Sequence, residues 1–377
     1  MRKSEKIKIG IVGACGRGAS FKDVCDSIDN VEIHAVCDID PNGLNNAAEK
    51  LGAKEKYTDY DEMLEKADIQ AVIIATPMPL HAEQSIKALE KNIHVLCEVT
   101  AAVSIEECKR LVKACEKSNA IYMMAENYTY TKHNVLIKEL ARKGLFGELY
   151  YAEGEYLHNI KDFAEKTPWR RKWQLGIDGI TYVTHSLGPI LQWMADDRIS
   201  SVCCIGSGKH YKDNKKKFFA QDTSLMLCKT VKGALIKIRV DLLSDRPHAM
   251  TNYQLQGTDG CYESSRGGLV NDGKIWFREL SKKIEWHNVD ELITIDNLAK
   301  KYLPDIWFSP PKAAVKAGHG GGDYFEMIDW IDSIQGKIEC PIGIHQTMDM
   351  TLPGLISQES IRKNGQWLSV PDSRTWV

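Results

Sequence analysis

The chain has 377 residues, 43% of them hydrophobic and 27% charged, and 49 basic against 51 acidic side chains give a formal net charge of -2. That length accommodates two domains, each able to bury its own core, and the near-neutral balance excludes bulk attraction to nucleic acid or to an anionic membrane. No run approaches the ~18 apolar residues of a membrane span, and the opening MRKSEKIKIG passes from charge straight into a strand, so neither a span nor a secretory leader is expected. The 11 cysteines show no paired CxxC spacing. Reduced, mostly buried thiols in a cytoplasmic protein are therefore expected, without disulfides and without a metal. The basic run from Lys212 to Lys217 reads as a solvated loop.

From Ile7 to Asn127 short β-rich runs alternate with amphipathic stretches, the pattern of βαβ units around a parallel sheet. KIKIGIVG, VEIHAVCD, AVIIATP, IHVLCEV and AIYMMAE are the predicted strands. Ser104 and Glu107 form a capping box, and Ile105, Cys108, Leu111, Val112 and Cys115 follow at helical spacing. A further helix is predicted from Lys132 to Lys143, stopped at Gly144. Strands are then predicted near 148–158, 200–206, 222–229, 233–242, 252–257 and 260–264, with turn signals at Lys232-Gly233 and Asn271-Asp272-Gly273. Helices are predicted from Ile180 to Met194 and from near Asp323. The fold class is α/β. A Rossmann-type doubly wound parallel sheet occupies 1–127, and an α+β domain with an open, mainly antiparallel sheet occupies 128–377, with 345–377 able to pack back on the first domain. The exposed face of that sheet is where a homodimer or homotetramer is expected to form.

The first strand runs into Gly13-Ala14-Cys15-Gly16-Arg17-Gly18 and then a helical segment. A dinucleotide needs such a turn, because its pyrophosphate approaches the backbone closely and lies against the unpaired N–H groups of a helix N-terminus. Cys15 takes the middle glycine position of GxGxxG, and Gly16 follows it. The second strand ends at Asp38, near the ~20-residue interval expected after Gly13. A carboxylate there accepts hydrogen bonds from the adenosine ribose and repels a 2′-phosphate, so NAD is the expected cofactor. Gly13, Cys15, Gly16, Arg17, Gly18 and Asp38 are its expected contacts.

With Ala75-Thr76-Pro77, His81 and a strand ending in Cys97-Glu98, the domain resembles the glucose-fructose oxidoreductase and inositol dehydrogenase family, Gfo/Idh/MocA. The resemblance runs through essentially the whole chain to LPGLISQES, similar to that family's closing helix. It implies an NAD(P)-dependent protein acting on sugars or other polyols, and it adds Thr76, Pro77, His81 and Glu98 to the cofactor contacts. Two positions depart from the family. Glu98-Val99-Thr100 stands where its dehydrogenases carry Glu-Lys-Pro, and Thr181 stands four residues before His185 where they carry aspartate. The phrases CEVTAAVSIEEC, MMAENYTY, GEYLHN, TYVTHSLGP and GHGGGDY are instead similar to NAD-dependent glycoside hydrolases of the α-N-acetylgalactosaminidase type, which also lack the lysine.

That second resemblance implies transient oxidation at C3 of a bound sugar, removal of the acidified C2 hydrogen, elimination of the C1 leaving group, addition of water and return of the hydride. It places His185 by the 3-hydroxyl as proton acceptor, Tyr156 as the base at C2, and Glu126 near substrate and nicotinamide. The spacing is compatible. Tyr156 and His158 are two apart on a predicted strand and Tyr182 and His185 three apart on a predicted helix, so all four converge between sheet and covering helix. A tyrosine with a pKa near ~10 is a poor base at neutral pH, and His158 or Arg170 is placed to lower it. Trp169 and Arg170, in Pro168-Trp169-Arg170-Arg171-Lys172-Trp173, read equally as a sugar-stacking surface with donors and as a helix-packing site. His319, ahead of a glycine turn and Asp323, is a candidate substrate contact. Three activities fit: an NAD-dependent glycosidase, favoured by the retained Tyr156, Tyr182, His185 and Glu126; a sugar 3-dehydrogenase releasing a keto sugar; and a catalytically silent sugar or NAD sensor. The partner in each is a small-molecule glycoside or sugar.

Overall fold

The structure, a computed structural model, describes residues 6–247, 250–266, 273–291 and 301–376. The chain forms two compact units, one made of Met1–Tyr130, Pro310–Met348 and Ser373–Val377, the other of Thr131–Ser309 and Asp349–Asp372. A single cut near Asn127 does not describe this division: the parts that return to the first unit are Pro310–Met348 and Ser373–Val377, while Asp349–Asp372, most of the segment expected to pack back, belongs to the second. The cause is an apolar helix, Gly322–Ile334, which buries Phe325, Met327, Trp330 and Ile331. The stretch after it satisfies the backbone of a sheet edge, since the Met124 N–H donates to the Ile342 carbonyl at 3.2 Å.

The first unit holds β1 (Ile7–Val12), β2 (Val31–Cys37), β3 (Glu55–Tyr57), β4 (Ala71–Ile74), β5 (His94–Glu98) and β6 (Tyr122–Ala125), paired in parallel in the order β3-β2-β1-β4-β5-β6. The five expected strands are present. Short, half-exposed β3 carries too little apolar pattern to announce itself. Helices cover both faces, so β4 and β6 are buried along their whole length. Ser104 caps the helix Ile105–Lys117 by accepting from the Glu107 N–H at 3.2 Å, while the Glu107 carboxylate reaches back one residue further, to the Val103 N–H at 2.8 Å. The sheet order reverses between β1 and β4, which opens a crevice at their carboxyl ends.

The second unit is built on β7 (Leu149–Leu157), β8 (Ile199–Gly206), β9 (Thr223–Thr230), β10 (Leu235–Asp241), β11 (Met250–Gly257), β12 (Gly260–Glu263), β13 (Lys274–Phe277), β14 (His287–Asn288) and β15 (Leu368–Ser369). Their order is β14-β13-β12-β11-β7-β10-β9-β8-β15, and every pair is antiparallel except β7 with β10. The expected turn at Lys232-Gly233 joins β9 to β10, with Gly233 at positive φ. Asn271 and Asp272 of the other expected turn lie outside the described residues. Lys212, Lys215, Lys216 and Lys217 are exposed, as a solvated loop requires.

Burial alternates along β9 and β10, and the buried face of the sheet carries the helix Thr184–Trp193. That helix starts four residues later than its apolar pattern predicts. The Ile180 N–H is held by the Ser357 hydroxyl at 2.8 Å and the Thr181 hydroxyl by the Gln174 carbonyl at 3.0 Å, which tethers this stretch outside the helix. Tyr182 therefore precedes the helix and does not share a helical face with His185. Two local features then seat the helix on β7. Gly154 leaves room for it, since a Cβ there would lie 2.1 Å from the Ser186 carbonyl oxygen. Pro189 has no N–H for the His185 carbonyl four residues back, and the Tyr253 hydroxyl from β11 donates to that carbonyl instead.

Because the Gly154 contact is backbone against backbone, Gly154→Ala should lower stability by about 1–3 kcal/mol through overpacking. Urea unfolding measures this, and an unchanged midpoint would mean that the helix is not held at that distance.

Candidate functional site

In the first unit the Gly13 to Gly18 turn follows β1, and its first and last glycines are sterically required, since a Cβ on Gly18 would lie 2.7 Å from the Ile11 side chain. Gly13 has φ +83°, and a Cβ on it would sit 2.5 Å from the Ala75 carbonyl at the end of β4. The segment that follows is short, Arg17–Phe21 and then Lys22–Asp26, in place of one long helix. Asp38 closes the turn: one carboxylate oxygen accepts the Cys15 N–H at 2.8 Å and the other the Asp40 N–H at 3.1 Å. Burial and Asp38 push the Cys15 thiol up to about 11, so this exposed cysteine stays protonated at neutral pH. Ile39, next to Asp38, is 91% exposed and gives the crevice an apolar lip. A tight turn that excludes side chains, an acidic group at the end of β2 and an apolar lip together fit a dinucleotide.

Two expected cofactor contacts also have partners inside the unit. Arg17 donates from Nε to Glu98 at 2.7 Å and from Nη1 to Asp323 at 2.8 Å, so its guanidinium joins three segments of the unit, while Nη2 has no hydrogen-bond partner among the described residues. His81 is fully buried, with Nδ1 2.8 Å from the Thr100 carbonyl and Nε2 2.7 Å from the Thr76 carbonyl. Both nitrogens face acceptors, which requires the imidazolium. Burial pulls its pKa down, but Cys97 and the two carbonyls outweigh that and hold it at about 9. His81 is thus an internal clasp under the Thr76-Pro77 corner. Thr76 itself is half-buried and donates to Gln84 at 2.5 Å.

Around Arg17 lies a buried acidic cluster. Asp323 also accepts from His319 Nδ1 at 2.9 Å and from the Asn127 amide at 2.9 Å. Burial opposes its charge, yet His319 and Arg17 hold it well below the usual carboxylate range. The carboxylate fixes Nδ1 as the protonated nitrogen of His319, which leaves Nε2 outside this network. Glu326, one turn further along the helix, is fully buried, and neither carboxyl oxygen has a hydrogen-bond partner among the described residues. Burial, then the charges of Asp323 and Glu98, push it well above the usual range, so it is held as the neutral acid. Its position three residues after Asp323, on the same helical face, is the one sequence signal that pointed to it. Glu126, also fully buried, accepts the Tyr128 N–H at 3.3 Å.

The second unit brings four expected side chains together. The Tyr156 ring has its centroid 5.7 Å from His158, 5.7 Å from Tyr182 and 5.1 Å from His185, and Tyr182 lies 5.0 Å from His185. The Tyr156 hydroxyl and His158 Nδ1 are 2.9 Å apart. A cavity of about 140 Å³ opens on this cluster, lined by Tyr156, His158, Phe163, Arg170, Gln174 and Tyr182 among others. Arg170 stacks on Trp169, its guanidinium carbon 4.2 Å from the ring, and has no carboxylate partner among the described residues. Burial lowers its pKa, and negative charge on Tyr182 or Tyr156 would restore it. Trp169 thus orients Arg170. Gln174 carried no signal in the sequence, because a lone glutamine after a helix has no distinguishing pattern.

Residues 130–376 match the family described as glycosyl hydrolase 109, C-terminal domain, and residues 7–126 match the oxidoreductase family, NAD-binding Rossmann fold. An alpha-N-acetylgalactosaminidase of Shewanella oneidensis is 27% identical, the alignment covering 98% of this chain and 85% of that protein. A glycosyl hydrolase family 109 protein of Saccharopolyspora erythraea is 26% identical, with 98% and 83% covered. Among solved structures, levoglucosan dehydrogenase in complex with NADH and L-sorbose superposes with TM-score 0.81 at 19% identity, over 98% of this chain and all 100% of the other. The WlbA dehydrogenase of Bordetella pertussis, in complex with NADH and UDP-GlcNAcA, gives 0.77 at 21% identity, with 98% and 99% covered. These likenesses establish the fold.

Two measurements check the first unit. Replacing Asp38 by Ser together with Ile39 by Arg should weaken NAD binding by about 10-fold or more and strengthen NADP binding, because a charged acceptor for the ribose is lost and a partner for the 2′-phosphate is gained. Fluorescence titration reads both, and an unchanged ratio would detach Asp38 from cofactor choice. His81 has a folded pKa of about 9 against an ordinary 6.5, so its stabilisation is full below 6.5 and is lost as pH rises through 9. The melting temperature should fall across that window, and the fall should be shallower in His81→Gln.

Proposed function

Because the chain belongs to glycosyl hydrolase family 109 through residues 130–376 and carries an NAD-binding Rossmann domain ahead of it, we propose that it is an NAD-dependent enzyme that cleaves a glycoside by oxidation at sugar C3, deprotonation at C2 and elimination at C1. The observation that carries this reading is the cluster of Tyr156, His158, Tyr182 and His185, the first three of which line one cavity while His185 packs against Tyr156 and Tyr182. Hydrolysis through an oxocarbenium-like transition state calls for two carboxyl groups flanking the bond. Among the described residues no carboxylate lines this cavity.

The Gly13 to Gly18 turn, with Asp38 and Thr76, would hold NAD, which when bound would supply the hydride acceptor for C3 and the hydride donor that closes the turnover. His185 accepts the 3-hydroxyl proton as the carbonyl forms, its backbone fixed by Tyr253 and its ring flanked by Tyr156 and Tyr182. The carbonyl at C3 acidifies the C2 hydrogen, and the Tyr156 phenolate removes it. Donation from His158 Nδ1 and the positive charge of Arg170 both favour that phenolate. The electron pair of the C2–H bond forms the C1–C2 double bond as the C1 oxygen leaves with the pair of its own C1–O bond and takes up a proton; water then adds its oxygen at C1 while a proton returns to C2. The protein is taken to be a cytoplasmic homodimer or homotetramer, assembled on its open sheet. Its 11 cysteines are all free, and no helix among the described residues is long and apolar enough to cross a membrane.

The test uses aryl glycosides of several sugars, N-acetylgalactosaminides included, in deuterated water. The expected result is aglycone release with deuterium at C2 and no net NADH. NADH accumulating with a keto sugar would replace the reading by a sugar dehydrogenase, and no turnover with sugar still bound would replace it by a sensor. Tyr156→Phe should cut C2 exchange by about 100-fold or more, as for loss of a general base, while NAD binding is unchanged.

A further inference from the structure

Glu326 stands three residues after Asp323 on the helix Gly322–Ile334, so the two share a face. It is wholly buried, and neither carboxyl oxygen has a hydrogen-bond partner among the described residues. The Arg17 guanidinium, which grips Glu98 through Nε and Asp323 through Nη1, keeps a buried Nη2 that is also without a partner among the described residues. Arg17 and Glu326 lie near enough for each to act on the other's charge. One buried cluster therefore holds an unused donor and an acid with two unused oxygens.

A carboxylate with no donor is not tolerated out of water, so the unpartnered oxygens require Glu326 to keep its proton. The surroundings reinforce this. Burial comes first, and Asp323 on the same helix, Glu98 at the end of β5 and Glu126 just after β6 add to it by opposing a further anion; among these neighbours Arg17 alone favours one. Tyr130, beyond β6, is kept as the phenol by burial, with Asp329 and then Glu326 adding to it, and His319 is engaged with Asp323. Were the proton lost, the new carboxylate would have one cation near it and one unused donor on that cation, Nη2. A planar guanidinium that already holds two carboxylates cannot turn that nitrogen to a third without loosening the others. Arg17 belongs to the Gly13 to Gly18 turn, which is closed by donation from the Gly16 and Gly18 N–H groups to the Gly13 carbonyl, both at 3.2 Å. A shift of Arg17 therefore disturbs the backbone shaped for the dinucleotide.

We propose that Glu326 is a positioning residue for NAD that works through its proton. With the proton in place, Arg17 spans Glu98 and Asp323 and the turn is set for the cofactor. With the proton released to solvent, Arg17 is drawn to Glu326 and NAD binds more weakly. The proton and NAD favour one another, so bound NAD makes Glu326 harder to ionise. The Glu326 oxygens are buried, so the residue acts through Arg17 and not by touching NAD. The inference concerns the cofactor site and holds whichever sugar chemistry the second unit performs.

The experiment follows the dissociation constant of NAD against pH for wild type, Glu326→Gln and Glu326→Met. As the pH is raised from neutral to about 10, wild type should lose roughly 10-fold more affinity than either variant, the size of one pKa unit of coupling. His81 and Cys15 titrate at about 9 and about 11 in all three proteins, so the difference between the curves is what counts. Urea unfolding of the same proteins reads the proton itself. The unfolded chain gives up the Glu326 proton near the ordinary 4.5 while the folded chain keeps it. The folding equilibrium constant of wild type should therefore fall relative to Glu326→Gln by about tenfold per pH unit above that value, until the folded chain ionises too. Parallel NAD curves would overturn the action of Glu326 on the cofactor site. A stability ratio that does not change with pH would mean that Glu326 is charged in the folded chain, and the whole inference would fall. The methionine variant carries both comparisons alone should the glutamine variant not fold.

Discussion

The carbonyl of Ser186 occupies the space that any side chain at position 154 would need, and the candidate sugar site follows from that contact. A helix usually stands off a sheet by the length of the side chains between them. Here one glycine lets the backbone of Thr184–Trp193 settle onto β7, two residues from Tyr156. The His185 ring then reaches the Tyr156 ring at 5.1 Å. Pro189 adds to the arrangement by freeing the His185 carbonyl, and Tyr253 takes up the bond. The missing N–H of a proline, ordinarily a defect in a helix, thereby becomes the point at which the helix is anchored to β11.

The first unit solves a different problem, since it must hold several carboxyl groups out of water at the end of a parallel sheet. Arg17 binds Glu98 and Asp323 directly, His319 and Asn127 share Asp323, and Glu326 is left without charge. One cation with two anions and a protonated acid is a distribution that burial tolerates. All of them ionised would leave uncompensated charge in a low-dielectric interior. The arginine in the glycine-rich turn is thus a strut between the turn, β5 and the returning helix.

Much of the candidate site was legible in the chain itself. The glycine turn, Asp38 and the pair Tyr156 with His158 each combine residue types with spacings that follow from strand and turn geometry, whereas Tyr182 meets His185 without the helical spacing that linked them in the sequence. The departures are equally physical. Arg17 and His81 look like ligand contacts in sequence because arginine and histidine suit that task, but their partners, Glu98 and Asp323 for one and two backbone carbonyls for the other, are distant in sequence or carry no side-chain signal. Tyr182 falls outside its predicted helix because Ser357, a residue far along the chain, captures the Ile180 N–H. Glu326 matters through an absence of partners, and an absence cannot be read before the neighbours are known.

The sequence by itself determined the two kinds of sheet, the dinucleotide turn and the set of ionisable groups, since these depend on periodicity and on contacts between near neighbours. The tertiary structure decided the pairing of β7 with β10, the return of the chain from Pro310 to the first unit and the protonation of His81, Asp323 and Glu326. Those outcomes depend on burial and on which charges lie within a few ångströms. Both are set by residues that the fold, and not the order of the chain, places side by side.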